Sequence, residues 1–222
     1  MSMLRESESV PEKSPVSRSA FVGAAASTRT VAGWELADGT AAGPVALTDL
    51  SALSKVLVRA PLRSEVDTVL GTRFGRAVWA GDRLVTGAAP GEWLVLGPTG
   101  TAAETIDHYT AALAAATNGL TTVIDLTHGR ALLRVSGEST LHLLRRVTAV
   151  DLDDRFVPQG AALRTSLARV VTDLVRDDVD GLPSYLLHCE RSSGRYLLDS
   201  LLAAGADLGA QLGSGPAWPA TG

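Results

Sequence analysis

The chain has 222 residues, 45% of them hydrophobic and 20% charged, with a formal net charge of −4 and a sequence pI of about 5.6. That length can bury a sizeable core in one or two compact units, and the apolar share excludes a disordered chain. The acidic balance argues against a general nucleic-acid binder, which needs basic surface to neutralise phosphates.

Residues 1–15 are polar, with charges at Arg5, Glu6 and Glu8 and prolines at Pro11 and Pro15. They read as a flexible N-terminal arm, able to order on a partner, and not as a secretory leader. No apolar run reaches the roughly 20 residues that span a bilayer, so no membrane role is expected. Cys189 is the only cysteine, which precludes an internal disulfide and suits a reducing compartment. A cytoplasmic protein is expected.

Residues 16–120 and 121–210 read as two α+β repeats. Residues 48–58 (T-D-L-S-A-L-S-K-V-L-V) and 124–135 (I-D-L-T-H-G-R-A-L-L-R-V) both place Asp-Leu-Ser/Thr before a basic residue and a strand-like apolar run. Asp49 and Asp125 are 125 − 49 = 76 residues apart. A helix is expected after each strand, over 61–70 and 137–147. In the second, Leu141, Leu144 and Val147 recur every three residues, and Ser136, Gly137 and Glu138 supply the turn and an acidic first helical turn.

Each repeat continues with a strand pair. Strands at 83–86 and 92–96 flank a turn at 88–91, and strands at 168–175 and 185–189 flank 177–183, where Gly and Pro punctuate hairpins. A closing helix follows over 101–116 and over 194–204, the latter with Leu197, Leu198, Leu201 and Leu202 on its apolar face. Strand, helix, strands, helix is the order of a split β-α-β unit, so duplicated ferredoxin-like units with helices on one face of an antiparallel sheet are expected. Residues 211–222 read as a tail, since 213–222 hold three glycines and two prolines. Trp218 stands within it, either as a partner anchor or folded back on its own domain.

Candidate chemistry is sparse. G-T-R-F-G at 71–75 is Gly-rich, but no dinucleotide or triphosphate loop pattern occurs. His108, His128, His142, His188 and Cys189 lack metal-ligand spacing. His188 and Cys189 are neighbours on one strand and so face opposite ways. Asp125, Thr127 and His128 could suggest a nucleophilic set, but the first repeat has Asp49, Ser51 and Ala52 there. Asp and Ser/Thr bonding nearby turn amides fits both repeats better. Asp151, Asp153 and Asp154, like Asp177, Asp178 and Asp180, sit at turns where Asp is favoured, without the EF-hand pattern. Arg145, Arg146, Arg164, Arg169, Arg191 and Arg195 suit either interfaces or a solvated face. Arg191 and Arg195 bracket a helix start that could meet an anion.

Several stretches together resemble the gamma subunit of heterotetrameric sarcosine oxidase. They are V-I-D-L-T-H-G-R-A-L-L-R-V-S-G at 123–137, V-D-L-D-D-R-F-V-P-Q-G at 150–160, Arg164-Thr165 with the strand that follows, A-P-G-E-W-L-V-L-G-P at 89–98, and Ser14-Pro15. The match covers most of 14–205, and the wider group includes the glycine-cleavage aminomethyltransferase and folate-binding relatives. The resemblance implies an aminomethyltransferase-like fold and a non-catalytic subunit in a complex that oxidatively demethylates sarcosine to glycine. It implies alpha, beta and delta partner subunits, which would carry FAD, FMN, NAD and tetrahydrofolate. No catalytic, cofactor or metal residue is then expected on this chain, and Arg191, Arg195 and Trp218 are its candidate partner contacts.

The transferases of this group hold the folate pterin with a strand glutamate in a G-[YF]-E-[IL] context. Here the comparable strand is S-Y-L-L-H at 184–188, with Leu186 at the acid's place, and leucine accepts no hydrogen bond. The alternative is a free-standing folate-binding or folate-dependent aminomethyltransferase-like protein, and Leu186 counts against it. A duplicated domain for another small ligand stays open, since fold resemblance alone does not fix function.

Overall fold

The computed structural model describes residues 15–39, 41, 43–213 and 218. The arm expected over 1–15 lies, except for Pro15, outside the described residues. The described chain opens with a small sheet that the sequence reading missed. It comprises β1 (Ser17–Arg18), β2 (Ser27–Val31) and β3 (Trp34–Asp38), with β3 in the middle. The β2–β3 connection is Ala32-Gly33, both at positive φ, as a two-residue hairpin turn requires.

The chain then runs through β4 (Ala46–Asp49), β5 (Ser54–Arg59), α1 (Ser64–Leu70), β6 (Ala77–Ala80), β7 (Arg83–Ala89), β8 (Glu92–Gly97) and α2 (Ala102–Ala116). After these come β9 (Thr122–Asp125), β10 (Arg130–Ser136), α3 (Thr140–Leu144), β11 (Ala162–Leu167), β12 (Val170–Arg176), β13 (Ser184–Glu190), α4 (Arg191–Ala204) and β14 (Gln211–Gly213). The architecture is α+β.

These strands make two sheets, in the orders β6-β7-β8-β5-β9 and β11-β12-β13-β10-β4-β14. All pairings within them are antiparallel except that of β14 with β4. Strand alternation sorts their side chains into layers. Val56, Val58, Val85, Trp93 and Val95 pack with Val66 and Leu70 of α1 and Tyr109 and Leu113 of α2. Ala131, Leu133, Val135, Tyr185 and Leu187 pack with Leu197, Leu198 and Leu201 of α4. The opposite faces meet each other through Leu84, Leu94, Leu96, Leu132, Val175 and Leu186. The result is helix, sheet, sheet, helix. Strands buried on both faces read as unbroken apolar runs instead of alternating ones.

The two sheets exchange strands across the expected boundary at 120/121. β4 lies in the first half of the chain but pairs with β10 of the second sheet, while β9 pairs with β5 of the first. The tail expected from residue 211 begins as a strand, because β14 finds the free edge of β4. The helix expected over 137–147 is shorter, Thr140–Leu144, and Val147 follows it as a turn residue bonded back to Leu144.

Two glycines are fixed by geometry. Gly137 has φ +118, and a Cβ there would stand 2.5 Å from the Pro44 carbonyl oxygen. At Gly194 a Cβ would stand 2.7 Å from the Ala131 Cβ, so this residue lets α4 lie close on β10. Among the described residues, no helix is long and apolar enough to cross a membrane.

Candidate functional site

Among the polar groups that interrupt the layer between the sheets, one cluster lies at the crossovers that carry the chain from one sheet to the other, and a second links the two sheets. The first crossover follows Asp49 and the second follows Asp125. Asp49 Oδ1 accepts the Ser51 amide at 3.0 Å, and Asp125 Oδ1 accepts the Thr127 amide at 2.7 Å. The paired Asp-x-Ser/Thr segments thus close two equivalent turns, as the structural reading of this motif expected. His128 takes no part in a nucleophilic set. Its ring stacks on Trp34, with centroids 4.7 Å apart and planes 10° apart.

Lys55 ties the two turns together. It is fully buried, and its Nζ donates to the carbonyls of Ser51 (2.7 Å), Leu53 (2.9 Å) and Thr127 (3.3 Å). Its backbone amide donates to Thr127 Oγ1 at 3.1 Å. Burial lowers the amine to about 7, against the pull of Asp49 and Asp125. All three acceptors around the buried nitrogen are backbone carbonyls of the two turns, so Lys55 is a cross-brace between them.

The second cluster is a string of charges from one sheet to the other. Arg59 Nε donates to Glu92 Oε1 at 2.9 Å, and Arg164 Nη1 donates to Glu92 Oε2 at 2.8 Å. Arg164 also grips Asp173 through Nε at 2.6 Å and Nη2 at 3.1 Å. That two-pronged geometry fixes direction as well as energy. Asp173 faces His188 across the ladder, with His188 Nδ1 3.4 Å from Asp173 Oδ2. This is an ion-pair separation without hydrogen-bond alignment, and both His188 ring nitrogens lack a hydrogen-bond partner among the described residues. Burial pushes the Asp173 carboxyl up, but His188 and Arg164 outweigh it and hold it at about 2. The Arg164 fork supplies the aligned bonds and is the partner that keeps Asp173 ionised. Burial drives the His188 pKa below its usual value, with Asp173 opposing.

A cavity of about 10 Å³ lies among His188, Asp173, Arg164, Glu92, Thr86 and Leu126. That is about the volume of one water-sized sphere, far below the several hundred cubic ångströms of an organic-ligand site. The one hydroxyl on its wall, Thr86 Oγ1, donates to the Leu94 carbonyl. Cys189 points the other way, into the helix-side core, where burial raises its thiol to about 11. The arrangement clamps sheet to sheet and presents no nucleophile–base pair.

Several of the remaining candidates are engaged within the chain. Asp151 caps the Asp153 amide, Asp153 binds Arg155, and Asp154 and Asp178 bind Arg176. Asp177 accepts from Arg134 and from Trp79 Nε1. Among the described residues, no group of three or more metal-binding side chains occurs. Arg191 donates to the Arg18 carbonyl, and Arg195 pairs with Asp199 one turn on at 2.9 Å. Trp218 folds back against Trp79, centroids 4.7 Å apart, and donates to the Asp82 carbonyl at 3.1 Å. These three residues do not converge on one surface site. Leu186 is buried in the apolar layer between the sheets.

Sequence reasoning missed Lys55, Glu92 and Asp173. A signal was available: each is a charge within a strand otherwise rich in buried apolar residues, and such charges need partners.

No family model and no curated protein matches the chain. Solved structures do. A chain of heterotetrameric sarcosine oxidase from Corynebacterium sp. U-96, solved in complex with pyrrole 2-carboxylate, superposes with a TM-score of 0.64 at 22% identity, over 77% of this chain and 89% of that one. The glycine cleavage system aminomethyltransferase T from Bartonella henselae also gives a TM-score of 0.64, at 15% identity over 87% of this chain. The chain carries an aminomethyltransferase-like fold. The match spans 57% of the transferase, little more than half its length.

Proposed function

We propose that this chain is a non-catalytic, gamma-type subunit of a heterotetrameric sarcosine oxidase-like complex. The observation that carries the reading is a match to 89% of a chain of such a complex. Coverage of 77% of 222 residues is about 171 residues, and 171 is 89% of about 192. The matched chain is therefore about the size of this one. The internal chemistry supports the same reading: Lys55, Glu92, Arg164 and Asp173 are spent on one another or on backbone.

On this reading the flavins, NAD and tetrahydrofolate belong to alpha, beta and delta partners, and this chain contributes structure. The similar strand orders of the two sheets support a further reading of them as duplicated ferredoxin-like units. The alternative, a free-standing folate-dependent transferase-like protein, draws on the equal likeness to aminomethyltransferase T. Leu186 weighs against it, since it offers a pterin no acceptor.

The test is co-expression of the chain with the genes that flank its own, followed by size, visible absorption and sarcosine-dependent oxygen uptake. A yellow complex that contains this chain supports the subunit reading. A colourless monomer that ignores those neighbours and binds tetrahydrofolate at micromolar concentration in calorimetry overturns it.

A further inference from the structure

The second sheet ends in an open edge, and an apolar cleft lies along it. Among the described strands β11 pairs with β12 alone, in the register Leu163↔Leu174, Thr165↔Thr172 and Leu167↔Val170. The two-residue turn Ala168-Arg169 makes Leu167 and Val170 the closing hydrogen-bonded pair. Counting back, the N–H and C=O groups of Ala162, Arg164 and Ser166 point outward. Ala162 confirms the parity, because its N–H reaches away from β12 to the Gly75 carbonyl at 3.1 Å. Residues 75–77 thus already lie against the start of this edge, with the Ala77 amide donating to the Gly160 carbonyl at 2.7 Å and Arg76 bridged to Ala161, and the Val147 carbonyl accepts the Ala168 amide at 2.7 Å beyond its end, which leaves Arg164 and Ser166 as its free outward groups among the described residues.

Directly beside that start is a cleft of about 440 Å³, lined by Gly75, Val150, Asp151, Phe156, Val157 and Leu163. Phe156 is 65% exposed, a large exposure for an aromatic side chain in a cleft. Asp151 is the one carboxylate in the cleft wall. Asp153 and Asp154 in the same loop each bind an arginine, while Asp151 forms no ion pair among the described residues.

We propose that the β11 edge and this cleft dock an extended segment of a partner protein, which adds a strand beyond β11. Backbone bonding to Arg164 and Ser166 supplies affinity, and alternate side chains of the added strand supply specificity, as in other strand-addition complexes. The charge of the cleft fixes the partner's chemistry: an aliphatic or aromatic side chain against Phe156, Val150 and Leu163, and a lysine or arginine beside Asp151. The proposal rests on the subunit reading above.

The test uses the full chain co-expressed with the other subunits of its complex. Ser166→Pro removes an outward N–H and leaves the β11–β12 bonds intact, since the Ser166 amide is not among them. Phe156→Asp places a charge in the cleft. Each is expected to weaken assembly at least tenfold, with the urea midpoint of the isolated chain little changed. Independently of any variant, the Arg164 and Ser166 amides are expected to exchange at least tenfold more slowly in the complex than in the isolated chain. If the wild-type chain joins the complex but those amides are not protected, the docking surface is wrong and the subunit reading stands. Intact assembly of both variants leads to the same conclusion. If the wild-type chain joins no complex, the subunit reading fails and the docking proposal falls with it.

Discussion

Replacing Lys55 by methionine keeps most of the volume of the side chain and removes its amine. In the wild-type protein that amine sits at about 7 in place of 10.5, so the fold disfavours the charged form by about 5 kcal/mol at 1.4 kcal/mol per tenfold. Between pH 7 and pH 10.5 the unfolded chain holds a proton that the folded chain has released. Stability therefore rises with pH across that window, by about 2 kcal/mol from pH 7 to pH 9. Methionine removes this dependence and also strands the carbonyls of Ser51, Leu53 and Thr127, at about 1–3 kcal/mol for each that finds no other donor. The variant should be less stable than wild type at pH 9 by that stranding cost less about 2 kcal/mol, the part of the lysine's own cost that the wild type still bears there. The gap should narrow by about 2 kcal/mol at pH 7. Urea unfolding of both proteins at the two pH values measures this directly. The buried thiol of Cys189 titrates above the window and is common to both proteins. Parallel pH profiles, or a methionine variant more stable than wild type at pH 9, would refute the argument.

Acid should act through His188, whose pKa lies below its usual value in the fold. The unfolded chain then takes up a proton first, and stability falls below about pH 6.5 at up to about 1.4 kcal/mol per pH unit. His188→Gln should flatten that limb in urea titrations between pH 6.5 and pH 5. Asp177→Ala leaves the Arg134 guanidinium, whose side chain is 14% exposed, without its carboxylate. A loss of about 3 kcal/mol or more is expected for such a buried pair, read as a lower thermal midpoint. The turn Ala168-Arg169 holds two non-glycine residues at φ +46 and +70. The double change Ala168→Asn with Arg169→Gly suits a turn of this type and should stabilise by about 1 kcal/mol in the same assay.

The helices and hairpins were legible because their signals are local. The leucine spacing of α4 and the Gly/Pro punctuation around 177–183 report on nearby residues. The roles of Asp49 and Asp125 were legible for the same reason, since each bonds an amide two residues on. The partner of a strand was not. Nothing in the residues 46–49 says that they pair with 133–136 and not with the adjacent 54–59, because pairing across sheets is settled by tertiary packing. The same applies to the charge string: Arg164 meets Glu92 across 72 positions of sequence. The small sheet of β1 to β3 was missed because β2 is exposed along its whole length and shows no apolar alternation.

The exchange of β4 and β9 has a consequence for how the molecule could be divided. A cut near residue 120 would give a first piece that lacks β9, an edge strand of its own sheet, and carries β4, an inner strand of the other. The second piece would be its complement. Neither could complete its hydrogen-bonding edge alone, whereas together they could restore both sheets. The two halves behave as interlocked pieces, each a template for the other, and the chain between α2 and β9 could be severed without breaking a ladder.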